Sequence, residues 1–390
     1  MATIINADTS DGLKLTSDTS GEIELQSAGV TKAKVTVNGL QDANGNPLRG
    51  GMYRNLIING DMNIAQRATS KTGITTGGYY TVDRWNMVND SNGTWTQTQS
   101  TDTPEGFGSS VKLDCTTANA SLGASAGLQL QTRLEGQNLQ QLKKGTANAE
   151  SVTISFWVKS NKTGTYIFEL FDADNTRQVS NSYTISVADT WEKKTITVTG
   201  DTTGAFSNDN GLSLYVSFWL GVGSDKSSGT LNTSWAANVN ANRAVGQVNL
   251  ADSTSNYINI TGVQLEVGEG ASDFEVLPYD VQLQRCQRYY YEINGNQGCR
   301  FASGLDAGNT TSCYGPFYFP VVMRAYPTFQ YNNIVVRRGG TNYTINSISV
   351  EEFLGHFINI DVAASGLSTN NQYQLRFHTG GGYFKVSAEL

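Results

Sequence analysis

The amino-acid sequence predicts an all-β protein, and three observations support this fold class. Apolar residues recur mainly at every second position, the spacing of a strand with one buried face. Helical spacing is nearly absent. Only 16% of the residues are charged, so Asn, Thr, Ser, Gln and Gly must cover most of the surface. At 390 residues the chain exceeds the usual size of one hydrophobic core, and we predict units at 1–50, 51–279 and 280–390.

The first unit, residues 1–50, consists of short alternating segments separated by turn residues. Its apolar side chains are few, and an isolated domain of this size usually needs a metal, a disulfide or a partner. The segment offers neither metal site nor disulfide, so we predict that it folds against copies of itself as the β stalk of a trimer. A disordered tail is the alternative. The alternation involves Leu13 with Leu15, Ile23 with Leu25, and Ala33 with Val35 and Val37.

The second unit, residues 51–279, contains longer strands without intervening helices, which predicts two packed sheets in a sandwich or jelly roll. Several strands are continuously apolar, as is typical of strands covered on both faces. The stretch NLIINGDMNIAQR, Asn55 to Arg67, is predicted to be its opening strand, bent at Asn59 and Gly60. The clearest further strands lie at 152–158, 166–170, 192–200, 212–221 and 257–267.

The third unit, residues 280–390, begins in a short helical segment within 279–293 and continues as a separate β-sandwich rich in Tyr and Phe. The last two predicted strands are joined by a glycine-rich hairpin, Thr379 to Gly382, with Phe384 and Val386 facing inward. The predicted strands are 315–323, 329–338, 356–362, 373–378 and 383–390.

Charge and composition exclude several classes of function. The net charge is −7 and the basic residues are scattered, so nucleic acid is an improbable partner. No segment has the length and apolarity of a membrane span, and the first residues lack the pattern of a signal peptide. The cysteines at 115, 286, 299 and 313 are predicted to be reduced, although Cys299 and Cys313 could meet across a hairpin.

The candidate chemical motifs are weak, so we predict no enzyme activity, no metal and no cofactor. The loop Asp172 to Arg177 begins like a calcium loop, but Arg177 stands where a glycine should turn the chain. Glu351 and Glu352 are adjacent on a predicted strand and should point to opposite faces, which disfavours glycoside hydrolysis. There are only two histidines, His356 and His378.

Several segments resemble a group of bacteriophage tail-fibre and related virion structural proteins, whose middle domain is similar to the jelly roll of carbohydrate-binding modules. The resemblance covers roughly residues 54 to 330. It implies that Asn55 to Met62 opens the jelly roll and Ile258 to Glu266 closes it. Asn63 and Gly262 stand where relatives carry calcium ligands, so no calcium site is expected. The resemblance is carried by NLIINGDMNIAQR, YYTVDRWNM, ESVTISFWVKS, GVQLEVG, CQRYY and FPVVMRAYPTF.

Aromatic side chains outside the predicted core are the candidate binding residues, because sugar rings pack on flat aromatic faces beside amide and hydroxyl groups. Each is selected because its neighbours are polar or because it is out of phase with the buried face of its strand. Packing between subunits or domains is the alternative role for each. The five candidates are Trp95, Trp235, Tyr290, Tyr318 and Tyr383.

The resemblance and these aromatics together suggest a fibre or receptor-binding protein of a virion, assembled in the bacterial host cytoplasm. Its expected partners are two further copies of the chain, other virion proteins contacted through residues 1–50, and a host-surface glycan. A purely structural head fibre or capsid decoration protein is the alternative. A polysaccharide depolymerase is disfavoured, because no paired carboxylates across a cleft are recognisable.

Overall fold

The computed structural model describes residues 23–27, 29–36, 39–42, 53–90, 92–378 and 380–390. The described chain is built almost entirely of antiparallel strands in several sheets, so the all-β class is confirmed. Leu13, Leu15 and Val37, which belong to the alternation of the first unit, lie outside the described residues.

A three-stranded antiparallel sheet comes first, and it has one apolar and one polar face. Ile23 pairs with Val35, and Val35 pairs with Leu40, so these three side chains share a face. Leu25, Val35 and Leu40 on this face are exposed within one chain. On the other face Lys34 forms an ion pair of 3.0 Å with Glu24. The strands are β1 Ile23–Ser27, β2 Val30–Thr36 and β3 Gly39–Asp42.

Two larger sheets form a sandwich. One has the order β13-β10-β16-β8-β7-β4 and the other β15-β12-β11-β14-β9-β6-β5. Their strands are β4 Ser70–Ile74, β5 Gly78–Tyr79, β6 Asn86–Asp90, β7 Thr94–Ser100, β8 Ser110–Thr117, β9 Gly127–Glu135, β10 Val152–Ser160, β11 Gly164–Asp172, β12 Arg177–Ile185, β13 Glu192–Val198, β14 Leu212–Val222, β15 Ala236–Ala237 and β16 Tyr257–Val267. Short 3-10 helices occur at Gly136–Asn138, Gln140–Leu142, Ser224–Lys226, Asn240–Asn242 and Leu250–Asp252.

Aromatic side chains from both sheets meet in the core of the sandwich. Phe156 on β10 contacts Phe218 on β14, with ring centroids 4.8 Å apart and the rings edge to face. Tyr183 on β12 packs against the same Phe156 at 5.0 Å. Edge-to-face contacts of this kind add about 0.5–1.5 kcal/mol to the burial of each ring. The central strands β14 and β16 are buried along nearly their whole length, as their continuous apolarity predicts.

The opening stretch, residues 55–67, is not a strand, and this prediction is wrong. Its backbone turns repeatedly, with positive φ angles of 59° at Asn59 and 61° at Met62. The side chain of Asn55 takes the place of a neighbouring strand: its Oδ1 accepts from the Leu265 amide and its Nδ2 donates to the Val263 carbonyl. A Cβ on Gly60 would lie 2.0 Å from the Val263 oxygen, so only glycine fits there.

Asn59 is the centre of this turn and is completely buried. Its Nδ2 donates to the carbonyls of Ile64 and Asp83, each at 2.9 Å, and its Oδ1 accepts from the Ile64 amide at 2.9 Å. Its carbonyl accepts from the indole of Trp85 at 2.9 Å. The Asn59 side chain thus forms the hydrogen bonds that a neighbouring strand would otherwise form with these backbone groups. Apolar alternation in the sequence does not reveal such a turn.

The last part of the chain contains one α-helix and nine strands among the described residues. Six strands close into a barrel of order β18-β19-β23-β22-β21-β24, and β17-β25-β20 form a separate sheet, so a barrel stands where a second sandwich was expected. The elements are α1 Tyr279–Gln287, β17 Tyr290–Gly295, β18 Arg300–Asp306, β19 Ser312–Tyr318, β20 Thr328–Asn332, β21 Ile334–Arg338, β22 Thr341–Phe353, β23 Phe357–Ala364, β24 Gln372–Phe377 and β25 Gly382–Ser387.

Two predicted connections differ in the structure. The predicted strand 329–338 is divided at Asn333, where φ is 52°, so that β20 and β21 enter different sheets. The predicted final hairpin does not form, because β24 pairs with β18 and β21 whereas β25 pairs with β17 and β20. Phe384 and Val386 do face the core, as predicted.

All four cysteines are free in the structure, and Cys299 is exposed.

The loop after Asp172, which resembles the start of a calcium loop in sequence, is the turn of the β11–β12 hairpin. The Asp172 carboxylate is occupied by Lys144, whose Nζ lies 2.6 Å from Asp172 Oδ2 and 3.0 Å from Asp201 Oδ2. This buried ammonium supplies the positive charge that a metal would bring to such a loop.

A cluster of buried charges joins the sandwich to the last strand. Glu389, just after β25, accepts from Arg84 and from Arg67, the latter at 3.0 Å. Arg84 is buried and its guanidinium lies 3.4 Å from the centroid of the Tyr289 ring. Asp83 completes the cluster, with Arg67 at 3.4 Å. We call these four ionisable residues, Arg67, Asp83, Arg84 and Glu389, the clasp.

Replacing Asn59 by Ala should destabilise the protein, because it removes three buried side-chain hydrogen bonds and leaves a residue with a Cβ but no amide at positive φ. We expect a loss of roughly 3 kcal/mol in the free energy of unfolding, measured by chemical denaturation. Asn208→Ala, at an exposed position, is the matched control and should change the value by less than about 0.5 kcal/mol. Equal stability of the two variants would contradict this account.

Candidate functional site

Two of the five predicted aromatic residues are buried, so their predicted exposure is wrong. Trp95 lies on β7 and is 0% exposed, with its indole donating to the Asn92 carbonyl at 2.8 Å. Its polar neighbours Thr94 and Thr96 point the other way, since strand neighbours alternate between faces. Tyr290 is 4% exposed because the Arg67 guanidinium covers its ring at 3.6 Å.

Trp235 is half-buried at the edge of the seven-stranded sheet, immediately before β15. Its ring packs against the sandwich core, and the Lys144 ammonium lies 5.3 Å from its centroid. The side chain therefore helps to cover the buried Lys144 site.

Tyr318 is 65% exposed on the outer surface of the barrel, which agrees with its predicted exposure. It pairs with Phe357 across β19 and β23, at 5.6 Å between ring centroids. Tyr314 lies four residues earlier on the same face of β19 and is also exposed, but the sequence did not identify it as a candidate. Further exposed apolar side chains in this part of the chain are Val322, Tyr326 and Leu354.

Tyr290 and Tyr383 lie on the same face of the three-stranded sheet but at opposite ends of it, and no two of the five candidates line one site. Alternation places Phe384 and Val386 of β25 in the core and Tyr383, Lys385 and Ser387 on the opposite face. Tyr290 pairs with Ser387 at one end, and Asn294 pairs with Tyr383 at the other. The face is therefore polar and aromatic along its length.

A groove of about 580 Å³ lies between this face and the rim of the sandwich, within the range of ligand sites. Three tyrosines line it: Tyr290 from the sheet, and Tyr79 and Tyr80 from the rim. Its polar groups are the hydroxyls of Thr328 and Ser387 and the amide of Gln330. Arg67, Lys71 and Lys385 provide positive charge. We call this the basic groove.

The floor of the basic groove is held in place by buried hydrogen bonds. The Tyr290 hydroxyl donates to Glu292 Oε2, and the Tyr290 carbonyl accepts from Gln66 at 2.8 Å. Burial and the neighbouring Glu292 carboxylate raise the pKa of Tyr290, so its hydroxyl stays protonated as a donor. Arg288 and Tyr289 both donate hydrogen bonds to the Glu135 carboxylate. These two donors hold the pKa of Glu135 below its usual range, although burial acts to raise it.

Sequence reasoning missed Tyr79, Tyr80 and Lys385. The inward phase of Phe384 and Val386 already implies that Lys385 faces outward, so that signal was present. The position of Tyr79 and Tyr80 opposite β25 depends on how the two β units dock, which no local pattern specifies. Glu351 and Glu352 are both exposed, since the pairing of β22 with β23 shifts between Val350 and Glu352, and neither lines the basic groove.

The described residues contain no group of three or more His, Cys, Asp or Glu side chains that could hold a metal ion. The helices in that part of the chain include none that is long and apolar enough to cross a membrane.

No protein-family model matches the sequence, and no curated protein matches it. Among solved structures, the enzymatically active domain of tailspike protein 4 of bacteriophage CBA120 aligns at 14% identity and a TM-score of 0.30, over 55% of this chain. The alignment spans only 22% of the tailspike chain.

Two carbohydrate-binding modules give similar values. The family 22 module of Clostridium thermocellum Xyn10B aligns at 13% identity and a TM-score of 0.27, covering 52% of this chain and 96% of the module. TmCBM61, solved with β-1,4-galactotriose, aligns at 12% identity and a TM-score of 0.27, covering 55% of this chain and 99% of the module. All three similarities are weak.

Stability should fall with rising pH over the range in which Asp83 titrates. Burial raises the pKa of Asp83 from its usual 3.8 to about 7, although Arg67 acts in the opposite direction. Between about pH 4 and 7 the folded protein therefore retains a proton that the unfolded chain releases, so the free energy of unfolding decreases as the pH rises. Asp83→Asn should make this decrease smaller, which denaturant titrations at several pH values would measure, whereas Asp61, whose pKa burial also raises, keeps its own contribution. If the free energy of unfolding changes with pH in the same way in the variant and in the unmodified protein, the raised pKa of Asp83 is contradicted.

Proposed function

We propose that this chain is a bacteriophage fibre protein, a tail fibre or receptor-binding protein, that attaches to glycans of the host surface through the basic groove. The groove is the observation that carries the proposal. It combines two half-buried tyrosines, Tyr79 and Tyr80, with amide, hydroxyl and ammonium groups in one concave site, a composition suited to sugar recognition.

Oligomerisation through the first sheet supports this function. Leu25, Val35 and Leu40 present an apolar face that the rest of the described chain leaves exposed, and a small three-stranded sheet gains little stability on its own. We propose that three copies bury these faces together as a stalk, with the remainder of residues 1–50 contacting other virion proteins. Three linked weak sites would raise avidity by roughly 10²–10⁴ without new contacts.

A purely structural role, as a head fibre or decoration protein, is the second candidate. The exposed apolar side chains of the barrel, Tyr318, Val322, Tyr326 and Leu354, favour it, because contiguous apolar surface often marks a protein interface. Locating the protein in a virion by imaging would distinguish the two roles.

Solution mass tests the stalk. Analytical ultracentrifugation of the full chain should give three copies, and a chain starting at Arg54 should give one. Leu40→Asp, on the apolar face, should dissociate the trimer because it would bury a charge. Gln41→Asp, its neighbour on the polar face, should leave the trimer intact. A full chain that sediments as a monomer would remove the basis for multivalent attachment.

Glycan binding is tested on an array of bacterial surface polysaccharides. Gln330 is exposed in the basic groove and its amide makes no hydrogen bond among the described residues, so it is available to a ligand. Gln330→Ala should weaken binding about threefold to tenfold, the contribution of one neutral hydrogen bond. Gln372→Ala, at an exposed position on the barrel, should have no effect. Binding that both variants retain at full strength would place the glycan site elsewhere.

A further inference from the structure

We infer that the basic groove selects acidic oligosaccharides, those bearing carboxylate, sulfate or phosphate groups, over neutral ones. This inference rests on the proposed function of the groove as a glycan site, and it names the class of glycan. The charges around the groove favour such ligands.

The lining of the basic groove contains Arg67, Lys71 and Lys385, and it contains no Asp or Glu. The whole chain, by contrast, carries a net charge of −7. A local excess of positive charge on an acidic protein is concentrated further in a groove, because the low-dielectric walls focus the field. An anionic ligand is therefore attracted to this surface although the whole chain is acidic.

Two of the three cations are available to a ligand. Lys71 is exposed and has no hydrogen bond or ion pair within the described part of the chain. The side chain of Lys385 is 26% exposed, and its Nζ lies 3.4 Å from Glu292 Oε1. The same Nζ lies 4.4 Å from the centroid of the Tyr383 ring. An ammonium has three donors, so these two contacts leave Lys385 able to donate to a ligand.

The acidic groups nearest to the groove lie behind its surface. The side chain of Glu292 is only 4% exposed, and its other oxygen accepts from the Tyr290 hydroxyl. Asp83 and Glu389 are held by Arg67 within the clasp. These buried carboxylates contact Lys385 and Arg67 and are not part of the groove lining, whereas Arg67, Lys71 and Lys385 all are.

The three cations have different roles. The guanidinium of Arg67 is stacked on Tyr290 and bonded to two carboxylates, so it is a positioning residue and contributes a fixed field. Lys71 and Lys385 are the direct partners of acidic groups on the sugar, through charge-assisted hydrogen bonds. Gln330 pairs directly with Lys385, and Ser387 pairs with Tyr290 and Thr328, so both can bond neutral hydroxyls of the same sugar.

Calorimetric titration of the full chain tests the inference with three acidic probes and their matched neutral forms. The probes are an oligogalacturonate with its carboxyl-reduced form, and sulfated and phosphorylated dextran oligomers with unmodified dextran. At least one acidic probe should bind at least tenfold more tightly than its neutral counterpart, and added salt should reduce the difference. Lys71→Gln and Lys385→Gln should each weaken that binding about tenfold.

Lys193→Gln, at an exposed lysine on β13 outside the groove, is the matched control and should bind like the unmodified protein. Equal loss in this control would show nonspecific attraction and overturn the inference. Neutral forms that bind as tightly as acidic ones, with both weakened by Gln330→Ala, would overturn the acidic preference and leave the groove as a glycan site. If every acidic probe fails to bind while Gln330→Ala still lowers binding on the polysaccharide array, the acidic preference is overturned and the groove remains a glycan site. Failure of the probes and of the array together would overturn both.

Discussion

The clasp is the interaction on which the arrangement of the two larger β units depends. Glu389 comes from the end of the last strand, whereas its partners Arg67 and Arg84 come from the beginning of the sandwich. Arg84 is fully buried, so its charge is tolerable only while Glu389 is present. Removing one member of such a pair typically costs about 3–5 kcal/mol, because the other is left buried and uncompensated. The clasp therefore enforces one docked arrangement over alternatives that a purely apolar interface would also allow.

Further polar contacts reinforce this arrangement around the clasp. The guanidinium of Arg324 donates to the carbonyls of Ala388 and Glu389, and the side chain of Arg133 donates to the carbonyl of Leu390. Gln282 of α1 donates to Asp61 at 3.1 Å and so ties the helix to the opening turn. Since the basic groove has one wall from each unit, its shape follows directly from these contacts. The lysines that line it would not face the tyrosines of the rim if the units were docked differently.

Much of the fold could be predicted from the sequence, because alternation in a strand reports directly which face is buried. The central strands β14 and β16, the short helix α1 and the amphipathic first sheet were all recognisable in this way. The opening turn was not, because Asn55 and Asn59 satisfy backbone groups with their side chains, and an apolar triplet beside them has the appearance of a strand. The barrel was not predicted either, since the division at Asn333 sends two consecutive segments into different sheets.

The candidate site was less predictable for the same kind of reason. Polar neighbours suggested that Trp95 is exposed, yet they occupy the other face of its strand. Tyr290 was out of phase with the core of its own sheet, but Arg67, more than two hundred residues earlier in the chain, covers its ring. The alternation within a strand shows which side chains point away from its own core. It does not show whether a residue from a distant part of the chain covers those side chains.

The separation of the clasp residues along the chain also determines the order of assembly. Arg84 and Glu389 are 305 residues apart, and every strand of the sandwich is translated before the acid that neutralises its buried arginine. Domains generally fold from the N-terminal side as they leave the ribosome. A sandwich that folds before β25 is synthesised therefore lacks the carboxylate that pairs with Arg84. The ion pair between Arg84 and Glu389 forms only after that strand has been made.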